Sequence, residues 1–66
     1  MSKKKLVSIV IPAHDEASTI EQVLKDVKKE TRRLKRYDFE TIVVDNNSND
    51  DTARIASAQG VEVIKE

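Results

Sequence analysis

The run Leu6-Val-Ser-Ile-Val-Ile11 is apolar at every position except Ser8. A strand with one wet face alternates apolar and polar residues. One that is apolar almost throughout belongs in a sheet covered on both faces, and such sheets are mostly parallel. Parallel strands cannot be joined by a tight hairpin; they need a crossover, usually a helix. Pro12 has no backbone N–H to give to a ladder, so it marks the strand's end. Two further runs share the β-branched bias, Phe39-Glu-Thr-Ile-Val-Val44 and Val61-Glu-Val-Ile64.

The intervening segments read as helices. Ser18-Thr19-Ile20-Glu21 has the form of a capping box, with the serine hydroxyl accepting from a first-turn amide and the glutamate reaching back. Ile20, Val23, Leu24, Val27, Thr31 and Leu34 recur at three- and four-residue spacing and form one apolar stripe. Lys25, Lys28, Lys29, Arg32 and Arg36 fall mostly outside it. A second helix is expected after the polar run Asp45 to Asp51, capped by Ser48 or Asn49, with Asp50 and Asp51 in its first turn. Gly60 stands where a left-handed cap would end it.

The order is strand, helix, strand, helix, strand. Right-handed crossovers make this an α/β unit, β-α-β-α-β, with a three-stranded parallel sheet in the order 3-2-1 and both helices on one face. The other face of an apolar sheet is then left uncovered. The expected organisation is one partial domain over residues 1–66, in which 1–5 are a flexible basic tail and 6–66 the folded segment.

A chain of 66 residues buries only roughly 60% of its unfolded surface. It has no cysteine, so no disulfide or thiolate contributes. That fits a cytoplasmic setting. The apolar run at Leu6–Ile11 is far short of the ~20 residues of a membrane span, and no small-residue cleavage site follows it. Formal net charge is zero but unevenly placed. Residues 1–36 hold ten Lys or Arg and five Asp or Glu, whereas residues 37–66 hold two and seven. Such asymmetry points either to an anionic partner or to a solvated helix face. Tyr37 and Phe39 are too few aromatics for base-stacking platforms, so nucleic acid is not an expected partner.

In open parallel sheets, ligands bind beyond the carboxyl ends of the strands. Two loops lie there: Pro12-Ala13-His14-Asp15-Glu16 after the first strand, and Asp45-Asn46-Asn47 onward after the second. Carboxylates and amides suit the donor-rich edge of a base or the hydroxyls of a ribose. An acidic site is a poor phosphate cradle without a metal or a basic partner.

Val7-Ser-Ile-Val-Ile-Pro-Ala-His-Asp-Glu16 resembles the opening motif of glycosyltransferase family 2. Phe39-Glu-Thr-Ile-Val-Val-Asp-Asn-Asn-Ser-Asn-Asp-Asp-Thr52 is similar to that family's second motif. The ordered pair, at this spacing, covers residues 7–52. The resemblance implies half of a GT-A fold, and a donor nucleoside held by the two loops. Pro12, Ala13, His14 and Glu16 would line base and ribose, and Asp45 or Asn46 would meet the base edge. The nucleotide-sugar would be a UDP-sugar or a GDP-sugar. His14 stands where the family often has Tyr, and Asn46 where many members have a second Asp.

The family's metal-binding Asp-x-Asp and its catalytic base have no match here. Asp38-Phe39-Glu40 has acidic spacing but opens a strand rather than closing one. The resemblance therefore implies Mg or Mn for a parent enzyme and no cofactor for this segment, which is expected to be inactive alone. Membrane association of the parent is compatible with the family. The alternative is a non-catalytic, minimal or engineered α/β module kept for its fold, forming a homodimer through the uncovered sheet face or an edge.

Other readings of the loops fail on particular residues. An EF-hand starting at Asp45 would need Gly at Asp50 and Glu at Ala56. A dinucleotide fingerprint or a phosphate-binding P-loop needs glycines after the first strand, and the sole glycine is Gly60. His14, the sole histidine, has no serine or cysteine nucleophile clearly paired with it for general-base work.

Overall fold

A computed structural model describes residues 4–66. The first three residues of the expected basic tail therefore lie outside the described residues. The elements are β1 (Lys5–Ala13), α1 (Ile20–Arg33), β2 (Tyr37–Asp45), α2 (Thr52–Ala58) and β3 (Glu62–Lys65). Both strand pairings are parallel, and the order is β1-β2-β3. This is the expected 3-2-1 arrangement counted from the opposite edge.

Register sets the two faces. Lys5 pairs with Tyr37 at one end, and Ala13 with Asp45 at the other. Side chains alternate, so Ile9, Ile11 and Ala13 share a face with Thr41, Val43 and Asp45. That face carries the core, in which Ala13 and Val43 meet Ile20 and Leu24 of α1 and Ala56 of α2. Both helices thus cover one side, as expected. The other side stays open: Leu6, Val10 and Ile64 are 62%, 57% and 46% exposed.

Three local expectations are corrected. The capping box does not form. The N-cap of α1 is Thr19, with no side-chain cap hydrogen bond. The Glu16 carbonyl accepts from the amides of Thr19 (3.0 Å) and Ile20 (2.8 Å), so backbone meets the need that Ser18 was expected to meet. Second, α2 starts at Thr52 with Asp51 as N-cap, again without a side-chain cap. Ser48 and Asp50 are engaged elsewhere, as described below. Third, Val23 and Leu34 of the α1 stripe are exposed. Leu34 lies beyond the last helical residue, and Val23 sits at the border of the stripe. Gly60 adopts φ 81° as a left-handed cap, its amide bonded to the Ser57 carbonyl at 3.0 Å.

Candidate functional site

The register delivers β1 and β2 to the same level, so their following loops start side by side. The Asn46 amide donates to the Ala13 carbonyl at 2.8 Å, continuing the ladder one step past the strands. The Glu66 amide donates to the Asp45 carbonyl at 3.0 Å and ties in the chain after β3.

Beyond that point the chain turns sharply in both loops. Asp15 (φ 50°) and Asn47 (φ 55°) occupy the left-handed region, which short polar side chains tolerate better than other non-glycine residues. Turning there leaves backbone amides with no ladder partner, and the side chains of the second loop meet them. The Asp15 amide donates to Ser48 Oγ (2.9 Å), and the Glu16 amide to Thr52 Oγ1 (2.8 Å). The Ala17 amide donates to Asp50 Oδ2 (3.2 Å). In return, the Asn49 amide donates to Asp15 Oδ1 (2.7 Å). The accepting hydroxyls are themselves oriented, since Ser48 Oγ donates to Asp45 Oδ1 and Thr52 Oγ1 to Asp50 Oδ1. Asp50 Oδ1 also accepts from the Thr52 amide at 3.0 Å.

Asp45 is only 3% exposed and Thr52 is fully buried. Burial of a carboxylate or hydroxyl is tolerable only with hydrogen-bond partners. Among the described residues, no buried side-chain nitrogen or oxygen lacks one.

The six residues singled out from the sequence divide accordingly. Ala13 and Asp45 are buried where the strands end, His14, Glu16 and Asn46 are exposed in the loops beyond, and Pro12 is exposed on the open face of the sheet. His14 Nδ1–H donates to the Asn46 carbonyl at 2.6 Å, and Nε2 lies 3.4 Å from Asp15 Oδ2. The Asn46 carbonyl, then the charge of Asp15, with smaller help from Asp45 and Asp50, holds the imidazole pKa above its ordinary 6.5. Glu16 Oε2 accepts from Thr19 Oγ1 at 3.3 Å. The Thr52 hydroxyl bond, foremost, holds Asp50 below its ordinary 3.8. Asp51 is likewise lowered, by its hydrogen bond and charge pairing with Arg54 at 2.8 Å.

Sequence reasoning missed Asp15, Ser48, Asp50 and Thr52 as the residues that join the loops. The density of Asp, Asn and Ser was the available signal, since such side chains satisfy turn amides as readily as helix caps. Asp38 and Glu40 lie on the open face toward the start of β2, far from the loops, and Glu40 accepts from Ser8 Oγ. Among the described residues, no group of three or more His, Cys, Asp or Glu is placed to hold a metal ion. What the loops offer is an exposed, hydrogen-bonded edge of imidazole, amide and carboxylate groups, suited to hydrogen bonding with a polar, donor-bearing ligand.

Comparison with known proteins gives a consistent match. The sequence model described as glycosyl transferase family 2 matches residues 8–66. The chain is similar to a 4,4'-diaponeurosporenoate glycosyltransferase of Staphylococcus haemolyticus, 37% identical over 57 residues, or 86% of this chain and 14% of that protein. It is also similar to an undecaprenyl-phosphate 4-deoxy-4-formamido-L-arabinose transferase of Pseudomonas fluorescens, 37% identical over 54 residues, or 82% of this chain and 16% of that protein. Among solved structures it resembles glucosyl-3-phosphoglycerate synthase of Mycobacterium tuberculosis in complex with Mn2+, UDP and glucosyl-3-phosphoglycerate. The TM-score is 0.74 at 34% identity, covering 94% of this chain and 21% of that one. The chain thus spans about a seventh to a fifth of the proteins it matches.

Proposed function

This chain belongs to glycosyltransferase family 2, and from that premise we propose that its two joined loops are the donor-nucleoside half-site of an enzyme transferring a sugar from a nucleotide-sugar. The observation that supports this most is the mutual hydrogen bonding of the loops after β1 and β2, which holds His14, Glu16 and Asn46 exposed above the buried Asp45. Base and ribose would lie against Pro12, His14 and Glu16, with the buried Ala13 supporting the start of that loop. The exposed Asn46 is better placed than the buried Asp45 for the base edge, because Asp45 already accepts from Ser48. An amide both donates and accepts, which matches the neighbouring donor and acceptor on the edge of uracil.

UDP is the favoured nucleotide, since a similar structure holds UDP and Mn2+; GDP is the alternative donor class. A divalent cation, Mg or Mn, is proposed for the whole enzyme, where it would offset the charge of the leaving diphosphate. Among the described residues, no group of three or more His, Cys, Asp or Glu is placed to supply its ligands. The chain alone is proposed to bind nucleoside without catalysing transfer, because the family's Asp-x-Asp and catalytic base find no counterpart in its sequence.

Titration with UMP, UDP and GDP, with and without Mn2+, tests the reading. The expected result is weak, roughly millimolar binding, worth about 4 kcal/mol, that Asn46→Ala and Glu16→Ala reduce. Unchanged affinity in both variants, or no binding at millimolar nucleotide, would reject the half-site. Asp45→Ala is a poorer probe because Asp45 is part of the buried floor.

The open sheet face favours one further reading of the isolated chain: a structural α/β module that self-associates. Leu6, Val10 and Ile64 give it an apolar surface of the kind that drives pairing.

A further inference from the structure

The uneven charge becomes a spatial feature once the chain is folded. β1 begins where α1 ends, because Lys5 pairs with Tyr37, the first residue of β2. Lys4 and Lys5 therefore gather with Arg32, Arg33, Lys35 and Arg36 at the amino-terminal end of the sheet, all exposed. Among the described residues, Arg33 alone of these six has a carboxylate partner, Glu30 at 3.6 Å. The acidic loops sit at the other end of nine-residue strands, roughly 25–30 Å away at about 3.3 Å per residue. The molecule has a basic pole and an acidic pole.

Apolar and aromatic side chains are left exposed at the basic pole as well. Leu34 is 51% and Tyr37 43% exposed, within the same turn as the cations, and Leu6 is exposed beside Lys5. A soluble polyanion needs the charges alone, and a nucleic acid would need more stacking surface than one tyrosine gives. Cations interleaved with Leu and Tyr match the boundary of a bilayer with anionic headgroups. There the charges meet phosphates while apolar side chains and the amphipathic ring enter the interface.

We infer that the basic pole, centred on Arg32–Tyr37 with Lys4, Lys5 and Leu6, docks on an anionic lipid surface. The proposed contact is peripheral, on the surface of the bilayer; no helix among the described residues is long and apolar enough to span one. Docking this way leaves the acidic loops pointing into water. The inference does not depend on the nucleotide reading, because it concerns the opposite end of the sheet.

Flotation of the chain with vesicles tests it, comparing phosphatidylcholine alone with phosphatidylcholine mixed with phosphatidylglycerol, at low and high salt. Binding is expected only to the mixed vesicles, with release at high salt. Each juxtaposed Lys or Arg contributes roughly fivefold in affinity, so the triple variant Arg33→Gln, Lys35→Gln, Arg36→Gln is expected to lose about a hundredfold. Leu34→Ser with Tyr37→Ser is expected to weaken binding without changing its salt dependence. The matched triple variant Lys25→Gln, Arg54→Gln, Lys65→Gln, away from the pole, is expected to retain most binding. An equal loss in both triple variants would overturn the docking surface. So would equal binding to phosphatidylcholine alone, no binding to mixed vesicles at low salt, or capture by duplex DNA in place of vesicles.

Discussion

Thr52 shows how much one side chain does in this fold. Its hydroxyl is buried, accepts from the Glu16 amide of one loop and donates to Asp50 of the other. Thr52→Val keeps the shape and removes the hydroxyl, stranding a backbone donor. The expected loss is about 1–3 kcal/mol in denaturant melting, with Thr52→Ser losing less. His14 gives a pH signature at the same place. Its folded pKa is raised by the Asn46 carbonyl, then by Asp15, so the protonated form is favoured in the folded state. The stabilisation is full below the ordinary 6.5 and is lost as pH rises through the raised value. His14→Gln is expected to abolish that neutral-to-alkaline decline in stability. Asp50 and Asp51 act in the opposite sense. Their pKa values are lowered, by Thr52 and Arg54 first, so their contribution is present above 3.8 and is lost as pH falls through the lowered values. Melting in Asp50→Asn should show a smaller acid-side loss than the parent. The site was only partly legible at this scale. The nearly continuous apolar runs, closed by Pro12 and by Asp45, marked where the two strands end and the loops begin. Nothing in local spacing shows that Ser48 and Asp50 bond across to Asp15 and Ala17, because that partnership exists only after two parallel strands align.

At the scale of elements, period and composition carried further. The β-branched runs became β1, β2 and β3, and the stripe on α1 placed Ile20 and Leu24 in the core with Val43 and Ala56. Gly60 took its left-handed role. The failures are at helix starts, where a Ser or Asp can cap its own helix or bond to a neighbouring loop, and tertiary geometry decides. Leu24 is the most consequential apolar residue of α1, and Leu24→Ala should cost about 2–5 kcal/mol. Native domains hold only about 5–15 kcal/mol in total, so this variant is expected to melt without a cooperative transition or to show a sharply lowered midpoint by circular dichroism. Leu34→Ala, at a position of the same stripe that lies exposed beyond the helix, is expected to change stability little.

The described residues form two layers, a parallel sheet with both helices on one side. Its open face and its charged poles are properties that neither a single residue nor an element shows. Self-association through the open face is expected to appear as a concentration-dependent dimer in sedimentation, with Val10→Lys and Ile64→Lys restoring the monomer; a monomer at all concentrations would count against it. The loops at the carboxyl end of the sheet carry the central claim, and the amide chemical shifts of the chain titrated with UDP test it most directly. The account predicts shifts confined to residues 12–16 and 45–52, saturating at roughly millimolar UDP and diminished in Asn46→Ala. Shifts clustered instead at Arg32–Tyr37, or none near either loop at saturation, would contradict it.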